Sequence, residues 1–132
     1  TRIGGAGLIV GGRLVAGASN TIEGGHHVVC KDGKLCPCGQ RGCLEMYASA
    51  PAVVRAAQEI MDEDRGVESK MRHYHHQAKL TCQAVFECAL SGDDLALRVV
   101  DRMTEFLAVG LLNFMRILDP SVIVLAGGVT EA

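Results

Sequence analysis

The sequence has no cluster of Lys and Arg, no charged stretch opening onto a long apolar one, and no apolar run approaching a membrane span. Each absence excludes something. Nucleic-acid affinity comes mainly from neutralising phosphates, so a net charge of −2 without a basic patch argues against a nucleic-acid partner. The missing charged and apolar leader argues against a signal peptide. The longest apolar stretch, around Phe106 to Met115, is broken by Asn113 and flanked by Arg102, Glu105 and Arg116. It falls short of the roughly 20 residues that cross a bilayer. Internal repeats and low-complexity segments are also lacking.

What is present is an ordinary globular composition, with 48% apolar and 21% charged residues in 132. That length suits one compact domain or one lobe of a larger protein. The chain opens at Thr1 inside a strand-like pattern, and Ala132 follows a Gly-Gly turn that commonly leads into another element. An internal piece of a longer protein is therefore expected.

Six cysteines raise the question of a disulfide framework, and their spacing answers it. Cys36, Cys38 and Cys43 fall within eight residues, close after the adjacent His26 and His27. Clustering of this kind suits a metal better than disulfides. Cys30, Cys82 and Cys88 are scattered among apolar neighbours and read as small hydrophobes. A reducing, cytoplasmic setting fits the pattern. Zinc takes four ligands in a tetrahedron and favours thiolate and imidazole. Three thiolates so close together demand a sharply folded loop, which Gly39 and Gly42 permit. The fourth ligand should come from His26 or His27. Such a closed Cys3His site would be structural, and the alternative is three free thiols in a loop.

Along the chain, Ile3 to Val10 and Arg13 to Ala16 read as a hairpin around Gly11-Gly12. His27 to Cys30 reads as a short strand. A short helix is expected from Cys43 to Ala50, and Pro51 suits the first turn of a helix reaching about Glu63. Lys70 to Leu90 reads as helical. Asp93 is the expected N-cap of a long last helix, with an apolar face of Val99, Val100, Met103, Phe106, Leu107, Leu111, Phe114, Met115 and Leu118. Asp119-Pro120 ends that helix. Val122 to Leu125 reads as a strand buried on both faces, closed by Gly127-Gly128. The expected fold class is α/β.

Glu23-Gly24-Gly25-His26, followed by Cys36-Pro37-Cys38-Gly39-Gln40-Arg41-Gly42-Cys43-Leu44-Glu45, resembles the ROK family (repressors, open reading frames and kinases). The two motifs stand in the family's order and spacing, and the resemblance runs over nearly the whole chain. Within the family it is most similar to the glucokinases and N-acylmannosamine kinases. The Asp62-Glu63-Asp64 link slightly resembles the latter.

The resemblance implies an internal fragment of the C-terminal lobe of an actin-like ATPase with a ribonuclease-H-like core. This part of the kinase domain would hold a zinc loop at about 26–45, a helical segment at about 43–118, and a strand with its Gly-Gly turn at 121–129. It implies an ATP-dependent transfer of phosphate, with Mg2+, to the 6-hydroxyl of a hexose or N-acylhexosamine, and places the protein in carbohydrate metabolism. By that analogy His26, Cys36, Cys38 and Cys43 bind a structural zinc. Glu23, His26 and Glu45 contact the sugar, whose hydroxyls donate well to carboxylates. Zinc would act on sugar binding indirectly, by fixing the His26 ring and holding the loop that carries Glu45. Thr1, Gly4, Gly5, Gly127 and Gly128 would lie on the nucleotide side. The catalytic Asp would precede residue 1, so the fragment alone is expected to be inactive. A homodimer is the implied assembly.

Arg2 and Ala6 replace glycines of the family's Gly-rich hairpin. His27 reads as a neighbour of the ligand, and His73, His75 and His76 as solvent-facing. Two other functions fit the same motifs. One is a sugar-binding transcriptional repressor, with a helix-turn-helix outside these residues. The other is a non-catalytic zinc-stabilised module.

Overall fold

The computed structural model describes residues 5–18 and 22–129. They form a two-stranded hairpin, a 3₁₀ turn, a cysteine loop and five α-helices. In the hairpin β1 (Ile9–Val10) pairs antiparallel with β2 (Arg13–Leu14), with Ile9 opposite Leu14. Gly11 and Gly12 have φ of 58° and 74°, the doubly positive turn that matches strand twist and that glycine adopts without strain. Every residue of the two strands is exposed.

The short α1 (Glu45–Ala48) leads directly into α2 (Ala50–Glu63). Ser49 ends the first helix and caps the second, its hydroxyl accepting from the Ala52 N–H at 3.3 Å. Pro51 follows in the first turn, where a missing N–H costs nothing. Helix α2 buries Ala52, Val53, Ala56, Ala57, Ile60 and Met61, a stripe at helical spacing. The expected helix over Lys70 to Leu90 is two helices, α3 (Lys70–His76) and α4 (Cys82–Leu90). Ala78, at φ 54°, breaks the run, and Thr81 caps the second piece by accepting from the Ala84 N–H at 3.1 Å.

The long helix α5 (Asp94–Leu118) is capped by Asp93 as expected, and Asp119 ends it in the left-handed region at φ 44°. Asp93 is buried and serves two helix starts at once. One oxygen accepts from the Ala96 N–H at 3.1 Å; the other accepts from the Ser69 hydroxyl at 2.9 Å and the Lys70 N–H at 2.6 Å. Helices α2 and α4 pack against α5, and Val53, Met71, Val85, Leu95 and Val99 form the centre of the core. Each such side chain contributes about 1.5–3 kcal/mol of burial.

The expected α/β, actin-like ATPase architecture with a ribonuclease-H-like core is not what these residues form. The fold is largely helical, and its one sheet among the described residues is the open two-stranded hairpin. The expected buried strand Val122 to Leu125 makes no ladder among the described residues, and Val122 and Val124 are 72% and 78% exposed. An apolar run becomes a strand only when a neighbour takes up its N–H and C=O groups, and no described residue does so. His27 to Cys30 likewise forms only an isolated bridge, Val28 to Cys43.

Candidate metal centre

The cysteine loop is held by backbone hydrogen bonds that glycine makes possible. The Val29 N–H donates to the Gly42 carbonyl at 2.8 Å, and the Gly42 N–H donates to Lys34 at 2.9 Å. Gly42 has φ 77°, and a Cβ there would overlap the Cys30 carbonyl. Gly39, at φ 91°, turns the loop between Cys38 and Gln40, and the Cys36 N–H closes it on the Gln40 carbonyl at 2.8 Å. The Leu44 N–H then donates to the His27 carbonyl at 3.0 Å, drawing the Gly24–His26 turn against the loop's end.

Lys34 ties the loop to the helices. Its ammonium reaches Glu59 of α2 at 2.5 Å, and its backbone N–H donates to the Tyr47 hydroxyl at 2.8 Å. Tyr47 stacks on Phe106 of α5 with ring centroids 4.0 Å apart. The ion pair is partly exposed, so its own contribution is about 0–1 kcal/mol. The stacked, buried Tyr47 is the firmer anchor, and burial raises its hydroxyl's pKa.

This scaffold brings together one donor atom each from His26, Cys36, Cys38 and Cys43, all within 4.8 Å of one another. Cys36 Sγ lies 3.5 Å from His26 Nδ1, and Cys38 Sγ lies 3.6 Å from Cys43 Sγ. Around tetrahedral zinc, bond lengths of about 2.0–2.3 Å place neighbouring ligand atoms about 3.5–3.8 Å apart. Both measured edges fall in or beside that range. The donor set is also chemically right: three sulfurs and an imidazole, with Cys36 and Cys43 buried and Cys38 at the surface. The residues present therefore fit a structural metal ion.

The thiols shift one another's titration in opposite directions. Burial, reinforced by the Cys38 and Cys36 thiols, pushes Cys43 up to about 12. Cys38 is held below the usual thiol range, chiefly by the Gln40 backbone N–H, with Cys36 and Cys43 adding to the effect. A bound dication would reverse the preference of Cys43, since it favours thiolate at every ligand.

Of the other expected site residues, Glu23 lies exposed at the start of the His26 turn. Glu45 opens α1 two residues after Cys43. Its side chain is buried, and its Oε2 has no hydrogen-bond partner among the described residues. Gly5, Gly127 and Gly128 are exposed, while Thr1, Arg2 and Gly4 lie outside the described residues. A Cβ on Gly24 would sit 2.5 Å from the Ala6 Cβ, so the segment before the hairpin rests on the Glu23–His26 turn. His73, His75 and His76 are exposed on and near the end of α3. Sequence reasoning missed the packing of His27 against α5. The signal lay in Gly110, a glycine deep inside a strong helical pattern.

The profile of the ROK family matches residues 3–132, and the chain belongs to that family. It is 36% identical over 131 residues to a glucokinase of Halalkalibacterium halodurans, covering 97% of this chain and 39% of that protein. It is 31% identical over 129 residues to the DNA-binding transcriptional repressor Mlc of Escherichia coli, covering 97% of this chain and 30% of the repressor. Among solved structures, a ROK family glucokinase from Streptomyces griseus in complex with glucose and AMPPNP superposes with a TM-score of 0.84 at 30% identity, over 99% of this chain and 43% of that one. The chain thus spans about two-fifths of the length of its glucokinase relative.

The repressor overturns the expectation of no nucleic-acid partner. The charge argument weighed only these 132 residues, and a DNA-binding relative shares them while being about three times longer. The charge of a segment shared with a DNA-binding relative therefore does not exclude a nucleic-acid partner. Among the described residues no helix is long and apolar enough to cross a membrane.

Proposed function

We propose that this chain is a zinc-stabilised, sugar-binding module of a ROK-family protein, with no phosphoryl-transfer machinery of its own. Zinc at His26, Cys36, Cys38 and Cys43 supplies structure: it closes the loop, orients the imidazole and sets α1 in place. The observation that carries the sugar role is Glu45. A buried carboxylate oxygen without a donor is costly, and a hexose offers hydroxyl donors in fixed directions. Glu23 would supply a second acceptor. With His26 Nδ1 turned toward Cys36, Nε2 remains for a sugar hydroxyl. The chain forms part of the family domain, with the zinc loop at about 26–45.

A second reading concerns the whole protein and is favoured by the glucokinase relative and the glucokinase structure. It is a cytoplasmic ATP-dependent kinase acting on the 6-hydroxyl of glucose or an N-acylhexosamine, with Thr1, Gly4, Gly5, Gly127 and Gly128 toward the nucleotide and Mg2+. A homodimer belongs to the same reading. A sugar-responsive repressor would use the same module without phosphoryl transfer.

Calorimetric titration of glucose, N-acetylglucosamine and N-acetylmannosamine into the protein carrying this segment tests the first reading. Glu45→Gln keeps the shape and removes the charged acceptor. It should weaken binding of the preferred sugar about 10- to 100-fold, as expected for a hydrogen bond to a charged group. Equal affinity in the variant would sink the role of Glu45. Phosphorylated sugar from the whole protein with ATP, and none from the 132 residues alone, is expected on the second reading.

A further inference from the structure

Beside the metal quartet, His27 makes a set of contacts that neither zinc nor sugar binding accounts for. Its Nδ1 lies 2.5 Å from the Gly24 carbonyl oxygen. A carbonyl oxygen only accepts, so Nδ1 carries a proton. Nε2 is buried without a hydrogen-bond partner among the described residues. The ring lies against Phe114 of α5, with centroids 4.7 Å apart and planes inclined at 54°.

Gly110, one turn earlier on α5, completes the seat. A Cβ there would stand 3.2 Å from His27 Nε2 and 2.8 Å from Leu44 Cδ2. Glycine is a poor residue for a helix interior, so its presence in α5 has a packing reason. Here the helix backbone itself is the surface on which His27 and Leu44 rest. Phe114 also reaches the turn directly, since a Cβ on Gly24 would meet its Cζ at 3.3 Å.

We propose that His27 is a positioning residue: its Nδ1–H holds the Gly24–His26 turn in shape and so sets where His26 points, while its ring fills the seat at Gly110 and Phe114. The inference rests on the metal role proposed for His26. An apolar residue at position 27 could pack on Phe114 but could not donate to Gly24. That hydrogen bond, rather than the packing of the ring, fixes the metal-facing side of the turn.

Two variants of the full chain separate the hydrogen bond from the packing. His27→Asn keeps an N–H donor near the Nδ1 position and loses the ring. His27→Phe keeps a ring and loses the donor. Zinc transfer from the loaded chain to an excess of chelator gives the first readout. His27→Phe should release zinc roughly tenfold faster than wild type, and His27→Asn should stay within about twofold, as for loss and retention of a group that orients a metal ligand. The reverse order, or equal rates, would overturn the proposal, because a packing role is rescued by Phe. The second readout needs no metal. Long-range 15N–1H correlation of the wild-type imidazole should show Nδ1 protonated, and an Nδ1 without a proton would overturn the proposal. A wild-type chain that holds no zinc would defeat the metal role of His26, and the Nδ1 proton would then decide the matter for His27.

Discussion

Gly42 and Gly39 sit three residues apart in one loop, both in the left-handed region, and replacing each with Ala separates two kinds of cost. At Gly39 an added Cβ meets nothing within 4 Å, so only backbone strain remains, about 1–2 kcal/mol. At Gly42 the same strain applies, and the Cβ collides with the Cys30 backbone: its carbonyl carbon would lie 2.7 Å away and its Cα 3.3 Å away. Backbone cannot yield like a flexible side chain, so the loop must open. Opening it breaks the Val29–Gly42 and Gly42–Lys34 hydrogen bonds at 2.8 and 2.9 Å. Each contributes about 0.5–1.5 kcal/mol, which brings the total for Gly42→Ala to about 2–5 kcal/mol. Most natural domains have only about 5–15 kcal/mol in all. Cys43 is the next residue, so the metal site should open with the loop. Urea unfolding of both variants, with the zinc-to-protein ratio measured on the same samples, is the assay. Gly39→Ala should keep its zinc and Gly42→Ala should lose most of it. Equal losses of stability, or full zinc retention by Gly42→Ala, would refute the steric reasoning.

Two further outcomes follow from the same geometry. Asp93→Ala removes the cap of α5 and the acceptor for Ser69 and Lys70 together, and should cost about 2–4 kcal/mol in denaturant unfolding. Asp93→Asn should recover part of that loss, and an Ala variant within about 0.5 kcal/mol of wild type would show that the double cap does not bear on stability. Chelation should lower the thermal midpoint and release residues 26–45 before the helical core, because α2, α4 and α5 bury their faces against one another without the metal. Hydrogen exchange that accelerates equally in α5 and in the loop would contradict that separation.

The parts of this fold that were legible in the sequence are those set by local chemistry. Asp93 before the run opening at Leu95, and Pro51 in a first turn, announce their helices because caps act within a turn of the residues they serve. The candidate metal cluster was legible in part for the same reason: its residues span a short stretch, and the spacing of Cys36, Cys38 and Cys43 already restricts the loop, while the choice of His26 over His27 came only with the family resemblance. What was not legible depends on distant partners. Val122 to Leu125 has a strand's composition, but composition cannot supply the neighbour that makes a strand. The break between α3 and α4 turns on one left-handed residue, Ala78, in a stretch whose pattern reads as continuous. His27 looked incidental because its contacts, Gly110 and Phe114, lie far along the chain. Glu45 could be assigned a sugar only by family resemblance; its burial and its unpartnered oxygen emerge from the fold.

The central claim is that His26, Cys36, Cys38 and Cys43 hold one metal ion, and elemental analysis of the freshly purified, reduced chain tests it most directly. The account predicts one zinc per chain, lost in both Cys38→Ser and His26→Ala, with Cys82→Ser retaining it because that thiol lies on α4, outside the quartet. A chain without zinc, or one that keeps its zinc when His26 is replaced, would contradict it, and the sugar-facing roles of His26 and Glu45 would fall with the site.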